Sequence, residues 1–150
     1  ASTVRQKWLE RAGNAYVSLP CNQTASAVAG LIALRRKDDA TAAQCARMLY
    51  AATDQIVGDP HYVPQFLARY RAATGSPSEG MSLLTDYIGR MVKLDVLCVL
   101  RLQLCEAELL QGKSQDRAFA IAKRVEAEAN SCGAVLIADR AARVVRATRY

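Results

Sequence analysis

Near the end of the chain Arg140, Arg143, Arg146 and Arg149 recur at every third position. A guanidinium is planar, always charged, and bonds a carboxylate or phosphate through two parallel N–H groups, so a row of arginines is chemistry for an anion. At about 100° per residue of an α-helix the four spread over one half of the circumference. Ala134, Ile137, Ala141, Val144 and Val145 fill the other half. Arg69, Arg71 and Arg101 belong to the same surface if the helices that carry them stack in register. Two readings follow. One is the solvated outer face of an amphipathic helix; the other is a face for an anionic partner, either an acidic protein or a nucleic-acid backbone. The whole chain leans the same way, with 20 basic residues against 14 acidic ones and a net charge of +6. Aromatic side chains able to stack on unpaired bases are scarce beside these charges, with only Tyr70 and the terminal Tyr150 near them, which speaks against single-strand binding.

Catalytic chemistry is thin by comparison. The single histidine, His61, follows Asp59 and Pro60, so a base oriented by a carboxylate is conceivable, yet no serine or cysteine motif accompanies it. A histidine at a helix start is the plainer reading. Asp38-Asp39 and the pair Glu106 and Glu108 are explained by helix caps and solvated faces. The five cysteines, Cys21, Cys45, Cys98, Cys105 and Cys132, form no C-x-x-C pair and lack zinc spacing. Cys98 and Cys105 share a helix face and read as reduced core thiols. No Gly-rich phosphate loop is present. The expectation is a protein that is not an enzyme and has neither cofactor nor metal. Asn22-Gln23-Thr24 is a formal glycosylation sequon, but the start lacks the basic-then-apolar layout of a signal peptide, and no stretch reaches the roughly 18 apolar residues of a membrane span. A soluble chain in a reducing intracellular compartment, cytoplasmic or nuclear, is expected.

These side chains are positioned by helices. The four prolines and eight glycines fall mainly at punctuation points and no strand alternation appears, so the fold class is all-α. About eight antiparallel helices are predicted, near 3–17, 24–36, 39–57, a fourth beginning between Asp59 and Pro64, a fifth from Ser76 to about Val92, then 94–111, 115–130 and 134 to the end. Leu19-Pro20 closes the first. Val63, Phe66, Leu67 and Tyr70 form the buried face of the fourth. Gly75 suits a left-handed helix end, Ser76 with Glu79 forms a capping box, and Pro77 takes a first-turn position where its missing N–H costs nothing. Gly112-Lys113-Ser114 breaks the sixth helix.

Three of the predicted starts, Asp38, Ser76 and Ser114, stand thirty-eight residues apart. Around them Val28, Phe66 and Leu104 share a column, as do Ala29, Leu67 and Cys105. After them come Ala42, Gly80 and Ala118; Cys45, Leu83 and Ile121; Leu49, Tyr87 and Val125; and Ile56, Leu94 and Cys132. The later columns lie on one stripe of a helix, and the small-residue column lets two helix backbones approach closely. Ala52, Arg90 and Glu128 do not match. A period of this length is the mark of stacked helical hairpins.

Leu109-Leu110-Gln111-Gly112 followed by Ala118, Ala122 and Ala129 resembles the tetratricopeptide type of helical hairpin repeat. The resemblance implies an α-solenoid that binds peptides or other proteins along its inner face without catalysis. A compact repeat-like bundle is the other architecture open to the pattern. Residues 1–150 read as one helical domain whose ends fall halfway through a unit, as in a piece of a longer array. The expected function is a non-enzymatic scaffold for a protein or peptide within a larger complex, with oligomerisation compatible. The alternative is a basic nucleic-acid-binding subunit such as a viral coat or RNA-associated protein.

Overall fold

The structure is a computed structural model that describes residues 20–50 and 61–148. Every regular element among them is an α-helix: α1 (Pro20–Arg35), α2 (Asp39–Tyr50), α3 (Tyr62–Ala73), α4 (Pro77–Met91), α5 (Val96–Leu110), α6 (Gln115–Ser131) and α7 (Val135–Ala147). The all-α expectation holds. The described helices number seven rather than eight, and the helix predicted over 3–17, like residues 51–57 of the third, lies outside the described residues.

Local chemistry accounts for most boundaries. Asp38 precedes α2 and its Oδ1 accepts a hydrogen bond from the Thr41 amide at 3.1 Å, as a cap should. Before α4 the chain turns through Gly75 at φ 93°, and the Ser76 amide reaches back to the Arg71 carbonyl at 2.8 Å. That bond explains why the expected capping box does not form. The box requires a free Ser76 amide for Glu79, but Arg71 already holds it, and Glu79 pairs instead with the Arg71 guanidinium at 3.2 Å. Ser76 and Ser114 are helix caps by position, without a side-chain cap bond.

Two predicted helix starts are corrected. Helix α1 begins at Pro20, four residues before the start predicted at 24, because proline's fixed φ suits a first helical position. Helix α5 begins at Val96, two residues later than predicted, since Asp95 caps it by accepting from the Cys98 amide at 2.9 Å. Gly112-Lys113-Ser114 breaks the helix as predicted, and the turn after α5 closes by bonds from Lys113 and Ser114 to the Leu110 carbonyl. Pro64 causes no break, for α3 starts at Tyr62 and its first backbone bond runs from the Gln65 amide to the His61 carbonyl at 3.3 Å, one residue beyond the proline.

The chain divides into two compact units, Ala1–Tyr70 and Arg71–Tyr150. In the first, α1 packs on α2, and the two bury Ala27 and Ala33 on one helix and Ala42, Cys45, Ala46 and Leu49 on the other. Phe66 is fully buried beside Gly30, and its ring occupies the space that any β-carbon at position 30 would fill. A glycine here is a packing requirement.

In the second unit, α5, α6 and α7 enclose one apolar cluster. Leu100, Leu104 and Ala107 come from α5, Ala122, Val125 and Ala129 from α6, and Ile137, Ala138, Ala141, Val144 and Val145 from α7. Helix α4 contributes less, burying Gly80 and Leu84. Turns of three or four residues join these helices, so successive ones run antiparallel and α5 and α7 point the same way.

The three equally spaced starts open their helices in the same way as the starts at Asp95 and Ala134, whose carbonyls accept from Val99 and Ala138. The carbonyls of Asp38, Ser76 and Ser114 each accept the first bond of the following helix, from Ala42 at 3.0 Å, Gly80 at 3.2 Å and Ala118 at 2.9 Å, and all three of those donors are buried. One column fails. Leu94 and Cys132 are exposed, because both lie in turns at helix ends where no neighbour covers them, and Ile56 is outside the described residues.

Candidate functional site

The arginines singled out by spacing separate into distinct settings. Helix α7 turns Ile137, Ala138, Ala141, Val144 and Val145 inward and leaves Arg140, Arg143 and Arg146 exposed, as the amphipathic pattern requires. Arg149 lies outside the described residues. Arg101 is exposed on α5. Arg71 is half-buried and tied to Glu79, and Arg69, also half-buried, belongs to the first unit. Arg140, Arg143 and Arg146 thus share α7, and Arg101 lies on α5, which α7 contacts.

What joins α5 to α7 on this side is Glu108. Its Oε1 accepts a hydrogen bond from Nη2 of Arg140 at 2.6 Å. A charge-assisted bond this short fixes direction more than it stabilises, since exposed ion pairs are worth roughly 0.2–1 kcal/mol. Arg101 and Glu108 are seven residues apart and so lie on one stripe of α5. Arg140 and Arg143 occupy the matching stripe of α7. Helix α5 is otherwise enclosed: after its first residue, its exposed side chains are Leu97 and Arg101 alone.

Sequence reasoning missed the apolar part of this surface. Among the described residues eight large hydrophobic side chains are exposed, and six of them, Val92, Leu94, Val96, Leu97, Val135 and Leu136, flank the turns before α5 and before α7. With successive helices antiparallel, these two turns lie at the same end of the second unit. The signal was present in the runs Val92-Lys93-Leu94 and Val135-Leu136-Ile137, but an apolar residue beside a turn reads as core until the neighbours are known.

The other acid-base features have structural settings. His61 is buried rather than on the surface, and its ring packs on Tyr62 with centroids 4.1 Å apart. Asp59, its proposed orienting carboxylate, is outside the described residues. Tyr70 packs against Phe66 at 6.0 Å instead of offering a stacking platform. Glu106 lies on the opposite side of α5 from Arg101; burial pushes its carboxyl above the ordinary value, and Arg117 and Arg124 partly oppose that rise. The Tyr87 hydroxyl is raised by burial too, against the opposing charge of Arg90, which lies 5.6 Å from the ring centre. Cys45, Cys98 and Cys105 are buried and in no disulfide, while Cys132 is exposed. No group of three metal-ligating side chains occurs among the described residues, and no described helix is long and apolar enough to cross a membrane.

The exposed aliphatic end and the arginine row of α7 therefore form the candidate site: a surface able to bury apolar side chains and pair with anionic ones. Comparison with protein-family models, with curated proteins and with solved structures returned no match for this chain.

Proposed function

We propose that the chain is a non-enzymatic scaffold of stacked helical hairpins, similar to tetratricopeptide arrays, that binds a protein or peptide partner within a larger assembly. The observation that carries this reading is the grouping of six exposed aliphatic side chains at one end of the second unit. A folded chain rarely leaves such a group uncovered, and a contiguous apolar surface marks an interaction site. The equal spacing of the Asp38, Ser76 and Ser114 helix starts, each followed four residues later by a buried small residue, supports the repeated hairpin. Shallow burial of α4 and the polar outer face of α7 are compatible with a stack whose members touch only their neighbours.

The test compares the wild-type chain with Leu94→Ser/Leu136→Ser in cross-linking and co-purification from its native host. Both side chains are exposed, so melting should not change, while a partner that uses this surface should be lost from the variant. Identical partner profiles overturn the reading. Gel filtration with an absorbance ratio addresses the nucleic-acid alternative in the same preparation: co-purifying nucleic acid that is released by salt favours it, because phosphate contacts displace counterions.

A further inference from the structure

The surface shared by α5 and α7 has a pattern that goes beyond a generic apolar patch. Leu97 is followed four residues later by Arg101, and Leu136 four residues later by Arg140. Four residues are close to one helical turn, so each leucine stands one turn before its arginine on the same stripe. Because α5 and α7 point the same way, both leucines fall toward one end and the arginines follow in the same direction. The Arg140–Glu108 bond ties α7 to the C-terminal part of α5, seven residues past Arg101. Leu97 is 43% exposed and Leu136 81%, and Leu94, at 76%, extends the apolar end.

We infer that this α5–α7 face holds an acidic peptide segment that also carries apolar side chains, the apolar residues covering Leu94, Leu97 and Leu136 and the carboxylates meeting Arg140 and Arg143. The inference rests on the scaffold reading and specifies its partner. Charge complementarity carries it. Helix α7 presents Arg140, Arg143 and Arg146 against one exposed acid, Asp139, and Glu108 of α5 is engaged by Arg140. One bond to Glu108 leaves most of the five N–H donors of Arg140 for a ligand. Arginine, with its weak hydration and planar fork, suits carboxylates at an interface that is partly dry.

The same face disfavours a nucleic acid. A phosphate backbone offers nothing to three exposed leucines, and unpaired bases require aromatic platforms, of which neither α5 nor α7 contains one. An extended or helical peptide with alternating acidic and apolar side chains matches both halves of the surface at once.

The experiment uses the full chain and four fluorescent probes in anisotropy titrations: a synthetic Glu-Leu peptide, the same peptide with Lys for Glu, the same peptide with Ser for Leu, and a single-stranded oligonucleotide. The Glu-Leu peptide should bind, and each of the other three should bind about tenfold more weakly or worse, a difference of about 1.4 kcal/mol. Arg143→Glu should weaken the Glu-Leu peptide and strengthen the Lys-Leu peptide, a charge swap that a merely structural role would not produce. Leu136→Ser should weaken the Glu-Leu peptide without changing melting, and Arg36→Glu, an exposed change in the first unit, should leave it alone. Equal binding of the Glu-Leu and Lys-Leu peptides overturns the acidic partner while the scaffold reading stands. Tighter binding of the oligonucleotide overturns the partner class. Peptide binding that is indifferent to Arg143→Glu and Leu136→Ser overturns the placement on α5 and α7, and binding of none of the probes overturns the inference outright, leaving the scaffold reading to the partner comparison with Leu94→Ser/Leu136→Ser.

Discussion

The turn before α2 and the turn before α4 close with the same backbone bond and differ in nearly every side chain. The Asp38 amide donates to the Ala33 carbonyl at 2.9 Å, and the Ser76 amide to the Arg71 carbonyl at 2.8 Å. Each turn passes through a left-handed residue just before the cap, Lys37 at φ 57° in one and Gly75 at φ 93° in the other. Asp38 then caps with its carboxylate, whereas Ser76 leaves the side-chain role unfilled and Glu79 pairs with Arg71. The two turns thus share a backbone geometry filled by different residues, and the turn before α7 closes the same way, from the Ala134 amide to the Ala129 carbonyl through Gly133 at φ 74°, whereas the Ser114 amide bonds the Leu110 carbonyl. Short-range sterics and hydrogen bonds specify the geometry, and several side-chain sets satisfy it.

The comparison is open to attack, beginning with the largest effect. Ala42→Leu in the first unit and Ala118→Leu in the second place a branched side chain at the equivalent buried crossing, and each should destabilise by about 1–3 kcal/mol in denaturant titration. A neutral result at either position removes the equivalence. Next, the left-handed residues should respond oppositely: Gly75→Ala should lose about 1 kcal/mol, while Lys37→Gly should gain about 0.5–1 kcal/mol, because only glycine enters that region without a β-carbon penalty. Changes of the same sign would mean that the two turns are not alike.

Smaller effects separate the caps. Asp38→Ala should lower the melting temperature and Ser76→Ala should leave it unchanged, since only Asp38 has a side-chain cap bond. The Asp38 carboxyl is held below its ordinary value by its bonds to Thr41. Its contribution is therefore present at neutral pH and fades as the pH falls through the lowered value. Glu106 gives the opposite sign. Burial raises its pKa, so the folded state prefers the protonated form, and stability from this group is full at low pH and declines as the pH rises through the raised value. Glu106→Gln should melt above wild type at neutral pH, with the gap closing in acid, as followed by circular dichroism across a pH series.

Legibility in the sequence followed the range of the interaction. Gly75, Pro77 and Asp38 marked turns correctly because their effects act within a few residues of backbone. The Asp95 cap was equally local, and its signal, an aspartate before the apolar run from Val96, was passed over in favour of Leu94 as a core column. The capping box misled because the donor it requires was claimed by the preceding helix, through a bond that depends on Gly75 being left-handed. For the candidate site, the α7 arginine row was readable from its period, while its pairing with α5 was not.

The sequence by itself determined the helices, the spacing of three of their starts and the division of α7 into an apolar and an arginine-bearing half. These follow from periodicity, caps and turn residues, which act over one or two helical turns. Only the tertiary structure decided that Glu108 and Arg140 meet across thirty-two residues, that Leu97 and Arg101 form the open window of an otherwise enclosed α5, and that Leu94 and Leu136 stay in solvent. Exposure belongs to a residue's neighbours, and neighbours distant in sequence are assembled by packing.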